Sequence, residues 1–557
     1  MAVDHPLAGP GGALADLTDT GGAALAAGRW REARDAFEAA LAEGPSPRAL
    51  DGLGEVLWWL GEPRRSVECR ERAYAQFRRA GDTESAGYAA LGIAVTYAAN
   101  FGNGAVANGW VSRAERLLTG DDDPLAGWVW MTRAYVTSDP AVAVPMCERA
   151  LAAAQSRADL DLELCSLSGL GEKLVMAGDV DKGLSLIDEA MAGTLGGECA
   201  RLDTVVFTSC DMLVACDLAA DVERARQWCE VADRFIEQYG CPFLYARCRT
   251  IYGSVLVATG RWAEGERELL RAVDMTEGTG AAVTDEACAR LADLRLRQGR
   301  LEEAASLLSG REDEVRSWLA GAALRLARGD AVGAVTLLRR RLAQVPDGHV
   351  AAAPALALLV RAGLANGDMD AAGAAATQLA RLADRQQFAY PQALSASASA
   401  QIATAQDRVD DTVARFETAL QLFAKLGMPY EAARVRLDLA RAHASRRPDV
   451  AVVEAESALS ALDRMGAAVD ADAAAALLRS LGVRPRTARR GAGELTDRER
   501  QVLQLVGLGL SNEQIAARLH ISRKTAAHHV SHLLSKLGAR NRAEAVARAM
   551  TEPPTTG

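Results

Sequence analysis

Gly28-Arg-Trp-Arg-Glu-Ala-Arg-Asp-Ala-Phe-Glu-Ala-Ala40 is the stretch on which the fold turns. The glycine is followed two residues later by Trp30, five later by Ala33, and then by Phe37 and Ala40, a spacing that lines one face of an α-helix. Glycine suits the left-handed turn that closes a preceding helix, because it has no Cβ to clash there. The small side chain of Ala33 lets another helix come close, and the large one of Phe37 fills the space beyond. The segment therefore predicts the turn and second helix of a helical hairpin.

The same pattern recurs along the chain. Gly61, Pro63, Ser66 and Ala73 carry it next, followed by Gly178, Val180, Gly183, Ile187 and Ala190, and by Ala220, Val222, Ala225, Cys229 and Ala232. Gly260, Trp262, Gly265, Leu269 and Ala272 come next, then Gly299, Leu301, Ala304 and Leu308, then Gly329, Ala334 and Leu338. Gly367, Ala372 and Ala376 precede a last copy at Asp407, Val409, Thr412, Phe416 and Ala419. One hairpin leaves an apolar side bare until a neighbour stacks on it, so many copies imply a continuous array. These residues resemble a degenerate tetratricopeptide repeat, and the stretch between Gly61 and Gly178 must hide at least two copies that the pattern does not place. Alternating strand-like runs are scarce and helix formers dominate, so the expected fold is all-α, a tetratricopeptide-like α-solenoid with a small helical domain after it. Such an array offers a concave face for a peptide, protein or small-molecule effector, or a scaffold for oligomerisation. Trp58 and Trp59 either line a groove or divide into one core and one half-exposed residue.

The boundaries expected from this reading are a flexible N-terminus over 1–20, the repeat region over 21–480, a basic linker over 481–494, a DNA-binding domain over 495–550 and a flexible tail over 551–557. The linker contains Pro485, glycines and four arginines. Net charge over the 557 residues is −10, but the distribution is uneven: residues 481–550 carry +8 and residues 1–480 carry −17. An acidic body with a basic end predicts that only the end approaches a polyanion.

Ten cysteines occur singly, without a CxxC pair, and read as reduced core thiols. The N-terminus lacks a basic and apolar leader pattern, and the longest apolar run, Val350 to Val360, stops at Arg361, short of the roughly 20 residues a membrane span needs. No membrane contact, no cofactor and no metal are expected, and the location is expected to be cytoplasmic, at the nucleoid. No phosphate loop, zinc spacing or nucleophile motif appears, so the chain reads as a non-enzyme with no catalytic residue.

The C-terminal domain reads as four short helices. Thr496 with Glu499 and Ser511 with Gln514 form capping boxes, Ser522 caps a third helix, and Asn541 with Glu544 caps a fourth. Gly509, His520-Ile521 and Gly538 mark the stops. Leu495, Val502, Leu503, Val506, Ile515, Leu519, Ile521, Ala526, Val530, Leu533, Leu537 and Val546 fall at helical spacing and supply a core. Two helices joined by a tight turn, the second rich in polar side chains, fit the major groove of DNA.

Leu495-Thr-Asp-Arg-Glu, Gly509-Leu-Ser-Asn-Glu-Gln-Ile-Ala, Leu519-His-Ile-Ser, Lys524-Thr, His529-Val and Lys536-Leu-Gly, in this order, resemble the LuxR-type helix-turn-helix domain from end to end. The helical region over Phe416–Leu437 is similar to that preceding this domain in large MalT-like regulators, although their ATPase loop has no counterpart here. The resemblance implies a sequence-specific transcription regulator that binds double-stranded DNA as a homodimer or higher oligomer. It implies phosphate contacts from Ser522, Arg523, Lys524 and Thr525, with Asn512, Gln514, Arg518, Arg540 and Asn541 adding further backbone contacts. Ala527, His528 and Ser531 match the base-reading positions. Alanine stands at 526 where valine is usual and at 527 where lysine is common, which predicts weaker direct readout. The alternative is a helical adaptor whose terminal domain binds protein instead of DNA.

Overall fold

The computed structural model of the protein describes residues 10–221, 223–228, 238–239, 242–276, 281–386, 388–483, 502–503, 505–507, 510–519, 523, 526 and 530. Among them there is no strand, and helices follow one another as stacked antiparallel pairs. Pro10–Ala26 pairs with Trp30–Glu43, Pro47–Trp59 with Pro63–Ala80, and the pairing continues to Pro429–His443 with Pro448–Met465, after which Ala468–Ser480 closes the stack. Each glycine that opens a copy of the motif lies at positive φ, from 70° at Gly28 to 97° at Gly178, while Ala220 and Asp407 take the same turn at 54° and 57°. In the opening motif Trp30, Ala33, Phe37 and Ala40 are all buried, and so are Trp262, Gly265, Leu269 and Ala272. Val222, Cys229 and Ala232 lie outside the described residues.

Two hairpins fill the gap that the motif left between Gly61 and Gly178: Thr83–Ala99 with Gly104–Glu115, and Ala126–Val136 with Pro140–Arg157. The array also begins earlier than position 21. Pro10–Ala26 is the first helix of the first hairpin, so the expected flexible segment is helical from residue 10. Gly21 lies under the ring of Phe37, where a Cβ would come within 2.6 Å of Cε1, so it serves close helix packing. Trp58 and Trp59 form no groove. Both are buried, Trp59 stacks on Trp30 at 4.3 Å, and Trp58 Nε1 donates to Asn100 Oδ1 at 3.2 Å.

The stack winds into a superhelix whose successive turns touch. Trp30 Nε1 donates to the carbonyl of Tyr239, 209 residues away. The Ala282 amide donates to Asn100 O at 3.1 Å, the Val350 amide to Met176 O at 3.0 Å, and Arg297 pairs with Glu431 at 2.8 Å. Large apolar clusters hold these turns together, one of them joining Trp30, Phe37 and Trp59 to Val206, Leu213 and Ile251. From Thr83–Ala99 onward, the first helices of the described hairpins line a lumen of about 1460 Å³. The buried cysteines are ordinary core thiols: burial pushes Cys147 up to about 12 and Cys210 up to about 11, so neither is a thiolate near neutrality. No helix among the described residues is long and apolar enough to cross a membrane.

One polar knot lies inside the wall. Ser168 Oγ donates to Asp211 Oδ2 at 2.8 Å, and Lys173 pairs with Glu172 at 2.9 Å. Burial and the neighbouring Glu172 carboxylate raise Asp211 from 3.8 to about 8, against the opposing pull of Lys173. The folded state therefore keeps a proton that the unfolded chain releases, so the stability gained from a neutral Asp211 is complete below its unfolded value and is lost as the pH climbs through about 8. Asp211→Asn, which stays neutral, should melt higher than wild type at pH 9, with the advantage shrinking towards pH 5. Melting curves across that range check it, and a constant difference would refute it.

Candidate nucleic-acid interface

The described part of the C-terminal domain is built around Val502, Val506, Ile515, Ala516, Ala526 and Val530, all buried in one cluster, with Leu503, Leu505, Leu510 and Leu519 packed against it. Every expected core position that falls among the described residues is in this cluster, whereas Leu495, Ile521, Leu533, Leu537 and Val546 lie outside them. The helix Asn512–Arg518 opens on a reciprocal cap: the Ser511 amide donates to Gln514 Oε1 at 2.8 Å, and the Gln514 amide donates to Ser511 Oγ at 3.3 Å. This is the capping box read from the sequence, and it fixes where the chain turns into the helix. The caps at Thr496, Ser522 and Asn541 and the stops at Gly509, His520-Ile521 and Gly538 fall outside the described residues.

Three of the nine expected phosphate contacts sit on Asn512–Arg518. Arg518 is exposed in its last turn, Gln514 is exposed with its amide oxygen committed to the cap, and Asn512 is half-buried. Gln514 can thus offer an anion only its amide N–H groups. Beyond the turn, residues 523, 526 and 530 are helical. Ala526 and Val530 are buried in the cluster, one helical turn apart, while Arg523 is exposed at the N-terminal side. The alanine at 526 therefore meets the core, and its departure from the usual valine trims a packing contact. Ser522, Lys524, Thr525, Ala527, His528, Ser531, Arg540 and Asn541 lie outside the described residues.

The lumen of the superhelix is a second candidate site, one that the sequence suggested only as a concave face without naming residues. Its wall mixes both signs of charge. Burial pushes Glu286 up, yet Arg316 at 2.7 Å and the nearby Arg247 outweigh it and hold the carboxyl at about 2. Burial also lowers His349, with Lys173 adding to the effect, so this histidine is neutral at pH 7. Helical periodicity could have flagged these charges as facing inward, but it cannot distinguish a lumen from outer solvent.

Residues 493–549 match the family described as bacterial regulatory proteins, luxR family. HTH-type transcriptional regulators of Mycobacterium bovis and Mycobacterium tuberculosis are 46% identical to this chain over 82 residues, which is 14% of this chain and 9% of theirs. The nitrate/nitrite response regulator NarL of Escherichia coli is 42% identical over 69 residues, 12% of this chain and 32% of that protein. The chain thus spans well under half the length of these relatives. Among solved structures, the APC/C hetero-tetramer Cut9-Hcn1 is similar with a TM-score of 0.37 and 13% identity, covering 83% of this chain and 93% of that one. Residues 493–549 carry the match to the luxR family of bacterial regulatory proteins, and they follow a stack of antiparallel helical pairs.

Proposed function

We propose that the protein is a sequence-specific DNA-binding transcription regulator, acting as a homodimer or higher oligomer, in which the helical array senses an effector and passes its state to the terminal domain. The single observation that carries the reading is the luxR-family match, within which Arg523 is exposed and Ala526 and Val530 are buried in the domain's core. The resemblance to the luxR-type domain supports a base-edge role for residues 527, 528 and 531. The resemblance gives residues 522–525 the first turn of the recognition helix, where free amides and the helix dipole favour a phosphate. A +8 charge over 481–550 on a body of −17 favours approach by that end alone.

The test is capture of genomic fragments by the full chain, followed by anisotropy titrations on the enriched sequences at several salt concentrations. Specific binding with a steep salt dependence is expected, and equal binding to enriched and random duplexes would overturn the reading. His528→Ala should change the ranking of sites, losing about tenfold discrimination at one base position while affinity for random DNA stays the same. A uniform loss across all sequences would instead make His528 a backbone contact.

A further inference from the structure

Seven described arginines line the lumen: Arg247, Arg290, Arg297, Arg311, Arg316, Arg361 and Arg434. Five have a carboxylate partner. Arg290 pairs with Asp217, Arg297 with Glu431 at 2.8 Å, Arg311 with Asp285 at 3.3 Å, Arg316 with Glu286 at 2.7 Å, and Arg434 loosely with Asp470 at 3.9 Å. Arg247 has none within ion-pair distance, but it is buried and its strongest attractive neighbour is the Glu286 carboxylate. Arg361 differs from all of these. It is exposed to the lumen, makes no hydrogen bond or ion pair with any other described residue, and feels another cation, Arg434, more strongly than any carboxylate. That repulsion, with burial second, brings its guanidinium down to about 10. Arg434 has an incomplete partner of its own, because Asp470 also accepts the Tyr430 hydroxyl at 2.8 Å.

We infer that Arg361 and Arg434 form an anion subsite in the lumen, which takes the carboxylate or phosphate group of a small-molecule effector. Two guanidinium forks with spare donors match the oxygen geometry of either group, and a bridging oxyanion would turn their repulsion into attraction. The lining of the same lumen includes Tyr390, Leu394, Phe423 and Trp318, which offer apolar surface for the remainder of such a molecule. The inference rests on the proposal that the array senses a ligand, and it specifies the chemistry of that ligand.

The experiment uses the full chain in a phosphate-free buffer and measures calorimetric binding and melting temperature with inorganic phosphate, pyrophosphate and glutarate, with glucose as the uncharged control. At least one oxyanion should bind and raise the melting temperature, and whether it is a phosphate or the carboxylate tells which source the subsite takes. Arg361→Met should lose at least about tenfold in that affinity, while Arg361→Lys, which keeps the charge but not the fork, should fall between. Without ligand, Arg361→Met should melt no lower than wild type, because the change removes a repulsion; a merely structural arginine would give the opposite sign. Failure of all three oxyanions to bind, or binding that survives in both Arg361→Met and Arg434→Met, would overturn the subsite. DNA affinity measured with and without the bound oxyanion separates the two readings: an unchanged value leaves the subsite standing and removes only its coupling to DNA.

Discussion

Replacing Arg523 and Lys524 together by alanine is expected to weaken binding of the full chain to duplex DNA by about 10- to 100-fold near physiological salt. Each lost phosphate contact also removes one set of released counterions, so the slope of log affinity against log salt should flatten by roughly 2. The loss should be the same for preferred and random sequences, since phosphates carry no sequence information. Arg523 is exposed, while Ala526 and Val530 are buried in the core, so the domain should fold without it. Arg518→Ala, at the exposed end of the preceding helix, should flatten the slope by about half as much. Anisotropy titrations across a salt series measure all of this, and a double variant with an unaltered slope would remove residues 523 and 524 from the interface. Because residues 1–480 carry a net charge of −17, no other region is expected to take over the lost attraction.

Much of the array was legible because its local rule is strict. Behind a turn residue, the buried positions fall two, five, nine and twelve residues on, as Trp30, Ala33, Phe37 and Ala40 do behind Gly28. The same offsets run through the two hairpins that the pattern missed. Ala107, Val111 and Ala114 follow Gly102, but a second small residue, Gly104, stands where a large apolar one opens other copies. Pro140, Ala143, Cys147 and Ala150 are buried at those offsets behind Ser138, yet the connection turns through an extended Thr137 and Asp139 with no glycine to mark it. Ala451, Ala455 and Ala458 likewise follow a glycine-free turn. What marks a copy is thus the packing period, and the glycine is one of several ways to make the turn.

The lumen was not legible, for a different reason. Helical spacing tells which residues leave the helix–helix contact but not what lies opposite them, and that depends on the superhelix closing turn upon turn through contacts such as Val350 with Met176. Arg361 stood in the sequence as the residue that ends an apolar run, and only the winding of the array brings it into the same lumen as Arg434. In the terminal domain the reverse holds. A capping box and an apolar period fix a small fold locally, so Ser511, Gln514, Ala526 and Val530 could be assigned without knowing anything about the rest of the chain.

The same substitution at two glycines should have opposite effects, which tests whether close helix approach or helix propensity governs the array. Gly171 and Gly183 face each other across one hairpin: a Cβ on Gly183 would lie 2.5 Å from Gly171 O and 2.7 Å from Val175 Cγ2. A backbone carbonyl cannot swing aside as a flexible side chain can, so Gly183→Ala must push the helices apart, and a cost of about 2–4 kcal/mol is expected despite the better helix propensity of alanine. The strain would not stay local. Gly178 in the same hairpin lies against Gln386, and Met176 O accepts the Val350 amide, so spreading this pair also loosens contact with the next superhelical turn. Gly373 is the contrasting case, in the helix Met369–Gln386 with nothing within 4 Å of its would-be Cβ. Gly373→Ala should therefore stabilise, by about 0.5–1 kcal/mol, through the reduced entropy of the unfolded chain. Denaturant and thermal melts of both variants decide the matter: two shifts of the same sign would mean that the Gly171–Gly183 approach does not limit how tightly the array can wind.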